Sequence, residues 1–273
     1  SPAALCARRG LMPPLATAAI IAIGTELLTP DKTDTNSLFI TARLNDIGID
    51  VVSKAIVGDD PRLVARIQDK IRKATDTAGP GGIFTLAIAA IDIALWDIKG
   101  KALGLPVWKL LGGGFQKQTR CYASSLFGAT PKATGELAKR IRAKGFSAVK
   151  FGWAPMGTDA KTDIDLVRQA RKGFGTDADV MIDAGLVWDA RTAIQRAQAF
   201  AEFGIFWLEE PLPPDDYEGY AKLTAASPVH IAAGEQESGR QSFLDLMDKG
   251  RVDIAQVDLT RCGGFTEAMK IAS

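Results

Sequence analysis

Between residues 118 and 273 the chain alternates two hydrophobic patterns. Short apolar runs near 119–124, 146–151, 179–183, 205–209, 229–235 and 252–258 have the length and β-branched content of buried strands. The stretches between them, such as 131–144, 160–172, 190–203 and 238–249, have helical spacing. Repeated βα units of this length predict a parallel sheet, and six in a row predict the wall of a (β/α) barrel. The chain stops at Ser273, just inside the helix after the sixth strand. The expectation is therefore an α/β fold with a partial (β/α) barrel, six strands of eight.

Upstream the pattern changes. Ala18–Ile23 reads as a buried strand, and Leu38, Ile40, Leu44 and Ile47 space a helix over 36–47 that Asn36 or Ser37 can cap. Residues 49–57 form a second β-branched run, which makes one βαβ unit with parallel strands. A fragment of that size cannot bury a core alone. Residues 61–74 predict a charged amphipathic helix, and Gly79-Pro80-Gly81-Gly82 a turn. Residues 84–103 predict a long apolar helix, ended by Gly104 and Pro106, whose wide apolar face should be buried. The chain divides into an upstream extension (1–11), the βαβ fragment (12–60), a helical segment (61–117) and the partial barrel (118–273).

Charge and cysteine content narrow the function classes. Lys plus Arg is 33 and Asp plus Glu is 32, so no basic excess exists to hold nucleic acid. No apolar run approaches the ~20 residues of a membrane span. Leu15–Ile23 follows Arg8 and Arg9 in the manner of a signal peptide, but it runs into Gly24-Thr25-Glu26-Leu27-Leu28 without a small-residue cleavage site. Cys6, Cys121 and Cys262 lie too far apart for a zinc spacing or a disulfide framework, which suits a reducing cytoplasm. The one histidine, His230, opens the fifth barrel strand and reads as structural. The glycines at 112–114 lack the Lys-Ser or Lys-Thr of a phosphate loop.

The acids carry the chemistry. Asp183, Glu209 and Glu235 each end a predicted strand and stand 26 residues apart. Any one of them alone reads as a solvated loop acid. In a barrel all three point into the same mouth, where carboxylates need a counter-charge. A hard divalent cation, Mg²⁺, supplies it through oxygen ligands. Lys150 ends the preceding strand and Asp258 the following one, so both reach that mouth. Trp153 and Trp188, just past strand ends, either line the pocket or pack the core.

Two resemblances follow. Ile21-Ala22-Ile23-Gly24-Thr25-Glu26-Leu27-Leu28, Asp34-Thr35-Asn36-Ser37 and Gly58-Asp59-Asp60 resemble the start of the molybdopterin-binding-like domain of the CinA family. That likeness covers residues 12–60 and stops short of the glycine-rich segment that would complete its site. It offers either a ligand loop at Gly24–Glu26 or a structural turn. Residues 61–273 resemble the mandelate racemase/muconate lactonizing enzyme branch of the enolase superfamily. The likeness rests on Gly79-Pro80-Gly81-Gly82, Asp92 to Lys101, Leu110-Leu111-Gly112-Gly113, Val149-Lys150 and Met181-Ile182-Asp183-Ala184-Gly185. It continues through Trp207-Leu208-Glu209-Glu210-Pro211, Ala233-Gly234-Glu235, Gln256-Val257-Asp258 and Arg261-Cys262-Gly263-Gly264.

This second resemblance implies abstraction of a proton α to a carboxylate, with a Mg²⁺-stabilised enediolate. It implies Asp183, Glu209 and Glu235 as metal ligands, with Glu210 in support. Lys150 matches the first lysine of a Lys-x-Lys pair, and Asp258 the aspartate that orients a catalytic histidine. The sequence departs from the family in three places. The second lysine position is Gly152, which leaves Lys150 an electrostatic role and favours an acid-sugar dehydratase with one acid–base face over a racemase. The last two strands and the histidine that Asp258 would orient are expected to be missing, which would leave the chain inactive. Residues before Pro61 do not resemble the strands of the family's capping domain. The expected partner is a small acid-sugar carboxylate, with no nucleic acid or membrane. Open strand edges should drive self-association into a homo-oligomer. The competing functions are a CinA-like pterin- or nucleotide-binding module and a catalytically silent fusion fragment.

Overall fold

The computed structural model describes residues 60–74, 81–114 and 116–273, together with the backbone of 16–23 and 49–57. They belong to two compact units. One is drawn from Ser1–Asp76 and Ala94–Leu110, the other from Thr77–Ile93 and Leu111–Ser273.

In the first unit β1 (Ala16–Ile23) and β2 (Ile49–Val57) pair in parallel, as the βαβ pattern predicts. The helix expected over 36–47 and the ligand loop expected at Gly24–Glu26 fall outside the described residues. Helix α1 (Val64–Ala74) buries Val64, Ile67 and Ile71 and exposes Arg66, Asp69, Lys70 and Lys73, the division its spacing predicts. Helix α2 (Gly82–Leu103) corrects one expectation. Its buried positions are the stripe Thr85, Ile88, Ala89, Asp92 and Leu95, with Gly100 near its end. Ile83 is 85% exposed, and Leu86, Ile98 and Leu103 are exposed too. The helix is apolar on most sides, but only residues three and four apart share a face. The short helix α3 (Val107–Leu110) follows.

The second unit holds six parallel strands: β3 (Ala123–Leu126), β4 (Ala148–Gly152), β5 (Asp179–Asp183), β6 (Trp207–Glu209), β7 (His230–Ala233) and β8 (Ile254–Ala255). They pair in chain order, the succession a (β/α) barrel wall has. Between them run α4 (Pro131–Ala143), α5 (Ala160–Phe174), α6 (Ala190–Phe200), α7 (Tyr217–Ala226) and α8 (Gly239–Asp245). Helices α9 (Leu259–Cys262) and α10 (Phe265–Ile271) close the chain. The first strand lies four residues later than its apolar run suggests, because its partner sets the register: Leu126 pairs with Gly152.

Strand alternation sorts the side chains. Val149, Phe151, Val180, Ile182, Leu208 and Ile231 pack with Leu166, Phe174, Ala197, Phe200 and Leu223 of the helices in one core. Lys150, Asp183 and Glu209 occupy the alternate positions and face the other way. The aligned ends of the strands depend on the turns that precede them. Arg171 of α5 donates to the carbonyls of Gly175 (2.9 Å), Ala178 (2.6 Å), Phe203 (2.7 Å) and Gly204 (2.6 Å). One guanidinium thus fixes the entries to both β5 and β6. At the far end, the fully buried Asp92 accepts from the Thr266 amide (2.9 Å) and hydroxyl (2.6 Å), which anchors the start of α10.

Candidate active site

The site gathers where β4, β5 and β6 end. Gly152 stands opposite Asp183 in the register, and Asp183 opposite Glu209. A Cβ on Gly152 would fall 2.8 Å from Asp183 Cβ and 2.9 Å from its Oδ2. The glycine therefore does more than lack a lysine; it makes room for the Asp183 carboxylate. Asp183 Oδ1 accepts from the Gly185 amide at 2.9 Å. Glu209 is fully buried, with both oxygens engaged. Lys150 Nζ pairs with Oε1, and the Trp207 indole N–H donates to Oε2 at 2.8 Å. The Lys150 ammonium also lies 5.8 Å from the Tyr122 ring centre, and Tyr122 meets Trp207 edge-on at 5.7 Å.

The loops beyond these strands are held in unusual backbone conformations. Trp153, Leu186 and Glu210 have φ of 70°, 64° and 39°, the left-handed region that non-glycine residues rarely adopt. They interlock through Trp153 N–H to Asp183 O (3.3 Å), Ala184 N–H to Glu209 O (2.9 Å) and Leu186 N–H to Glu210 O (2.7 Å). Such strain clusters at functional sites.

Burial and repulsion shape the charges. Burial, then the charge of Glu209, pushes the Asp183 carboxyl up to about 6. Burial, then the charge of Glu235, pushes Glu210 up to about 7. Burial pulls the Lys150 ammonium down, but the hydrogen bond and charge of Glu209 outweigh it, so the net shift is upward. Glu235 lies past the end of β7, where the Gln236 amide stands 3.5 Å from its Oε1.

The structure thus brings Lys150, Asp183 and Glu209 together, and Glu235 lies close enough for its charge to act on Asp183. Asp258 caps α9, accepting from the Thr260 amide and hydroxyl at 2.6 Å each. Trp188 is core, packed on Phe200, whereas Trp153 is 52% exposed beside Gly185. His230 sits exposed at the start of β7, 4.0 Å from Asp253. Sequence reasoning missed Tyr122, Trp207, Gln236 and Arg261. Of these only Trp207 left a signal: it stands two residues before Glu209, on the same strand face.

Among the described residues no three Asp, Glu, His or Cys side chains stand close enough together to hold a metal ion. Both Glu209 oxygens are instead taken by Lys150 and Trp207. The donor chemistry nonetheless suits a hard cation: Asp183, Glu209, Glu210 and Glu235 offer oxygen ligands around one ammonium.

Residues 38–112 match the mandelate racemase/muconate lactonizing enzyme N-terminal domain, and residues 133–273 match the enolase C-terminal domain-like family. The chain belongs to the mandelate racemase/muconate lactonizing enzyme branch of the enolase superfamily. Its N-terminal match starts at residue 38, so 38–60, which the sequence sets apart from the family's capping domain, lies within the match. A relative in this superfamily, the D-galactarolactone cycloisomerase of Agrobacterium fabrum, is 36% identical over 237 residues, 85% of this chain and 62% of that protein. The crystal structure of the 3,6-anhydro-D-galactonate cycloisomerase from Zobellia galactanivorans is 36% identical, with a TM-score of 0.74 over 79% of this chain and 60% of that one. A Bradyrhizobium enolase complexed with magnesium and mandelic acid is 26% identical, with a TM-score of 0.71 over 77% of this chain and 58% of that one. The chain therefore spans about three fifths of the length of these relatives.

Proposed function

We propose that this chain carries the metal-binding half of an acid-sugar enzyme that removes the proton α to a carboxylate and expels an oxygen from the β-carbon. The observation that carries the reading is the Lys150–Glu209–Asp183 assembly at adjoining strand ends, with Glu210 and Glu235 behind it. The leaving oxygen is hydroxide in a dehydration and the ring oxygen in a lactone or anhydro-sugar. The names of the two cycloisomerase relatives support the second. A bound Mg²⁺, held by Asp183, Glu209 and Glu235, would supply positive charge to the oxygens of the substrate carboxylate.

The chain's own residues position and polarise the substrate. Lys150 places a second positive charge in the mouth, where it favours the doubly negative form of the substrate carboxylate as the proton leaves. Gly152 puts no base on its face, so the proton would leave toward the opposite face, to an imidazole that the described residues do not supply. Asp258, fixed by its cap on α9, would orient that imidazole. Trp207 and Gly185 hold Glu209 and Asp183 in place with one N–H each.

The first test is Mg²⁺ calorimetry on wild type and Asp183→Ala, followed by proton exchange of acid sugars and their lactones in deuterated water. Binding that the substitution abolishes is the expected result, and α-proton exchange above background would reveal a base among the chain's own residues. Mg²⁺ binding that is indifferent to Asp183 would overturn the reading.

A further inference from the structure

The Arg261-Cys262-Gly263-Gly264 motif has no part in the chemistry described so far. Arg261 lies in α9, three residues past Asp258, and its Nη1 donates to Gln236 Oε1 at 2.7 Å. A guanidinium has only donors, so it fixes which end of the amide faces it. The Gln236 NH₂ must then point the other way, and it does. It stands 3.5 Å from Glu235 Oε1. This approach depends on Gly234. Its φ is 129°, and a Cβ there would lie 2.9 Å from the Gln256 carbonyl oxygen. The chain leaving β7 therefore packs directly on the end of β8, which places Gln236 beside the helix that follows β8.

We propose that Arg261 is a positioning residue that acts through Gln236, locking the amide so that its NH₂ group orients Glu235 toward the metal position. The neutral amide matters. A guanidinium set directly on Glu235 would form a bidentate ion pair and cancel the charge a cation needs. Passed through Gln236, the same arginine fixes geometry and leaves the carboxylate its charge. Partners of this kind, one step removed from a metal, typically change affinity 10- to 100-fold when lost. This inference rests on the reading of Glu235 as a ligand.

The test uses the whole chain as wild type, Arg261→Ala, Arg261→Gln, Arg261→Lys and Gln236→Leu. Mg²⁺ alone is titrated by calorimetry. In parallel, the side-chain amide of Gln236 is followed by NMR in ¹⁵N-glutamine-labelled, metal-free protein, identified by its absence in Gln236→Leu. In Arg261→Ala and Arg261→Gln the amide protons should exchange at least tenfold faster. Mg²⁺ affinity should fall about 10- to 100-fold in these variants and in Gln236→Leu. Arg261→Lys, again a pure donor, should recover most of both effects. Arg261→Gln fills the same space and covers the case in which the alanine variant fails to fold. Unchanged amide exchange overturns the proposal, as does faster exchange with unchanged Mg²⁺ affinity. A wild type that binds no Mg²⁺ overturns the metal reading and the metal-directed role together, while the exchange rates separately decide the Arg261–Gln236 lock.

Discussion

Asp183 and Glu210 are the two carboxyls that the protein holds furthest above their ordinary range in this site, at about 6 and about 7. A carboxyl whose folded pKa is raised binds its proton more tightly in the native state than in the unfolded chain. The stability this gives is full below about pH 4 and is lost as pH rises through the folded value. Metal-free protein should therefore melt higher at pH 5 than at pH 8, by on the order of a few kcal/mol across the pair. Saturating Mg²⁺ should remove or invert that slope, which scanning calorimetry at both pH values will show. Gly152 gives a second prediction at this scale. Gly152→Ala drives a methyl into Asp183, so it should cost about 1–3 kcal/mol and weaken Mg²⁺ binding at least tenfold. A variant with wild-type melting and wild-type affinity would show that Asp183 can move aside freely. Asp183 and Glu209 were legible because strand-end acids at a constant spacing stand out in a single sequence. Gln236 and Arg261 were not, since their contact bridges 25 positions and depends on how two loops meet.

Among elements, the parallel strands and their helices could be read from hydrophobic period alone, and their boundaries could not. The apolar run at 119–124 predicts a strand that the fold places at 123–126, because the pairing of Leu126 with Gly152 outweighs local preference. β8 shrinks to Ile254–Ala255 because only Ala232 and Ala233 of β7 pair with it. The turns are also set at a distance. Arg171 satisfies four carbonyls from two different loops. Removing it leaves those oxygens without a donor, so Arg171→Ala should destabilise by about 2–4 kcal/mol. Arg171→Lys should recover only part of this, because an ammonium cannot span the fork. Urea unfolding of the three proteins measures both effects. Equal midpoints would mean that the turns hold themselves.

At the scale of the molecule, among the described residues β3 pairs only with β4 and β8 only with β7. Leu126, on β3, is 65% exposed. An apolar side chain on an edge strand with one side unpaired among the described residues invites a neighbour. Sedimentation should give a mass above that of the monomer, reduced by Leu126→Lys. A monomer at every concentration would overturn this. The indole N–H of Trp207 has a consequence of another kind. Its hydrogen bond to Glu209 ties a fluorophore to the carboxylate that a cation would claim. Loading the site pulls on that bond and should shift the ultraviolet emission. Trp207→Phe, measured against the other four tryptophans, isolates the change. The protein thus carries its own optical gauge of occupancy, readable without substrate or label.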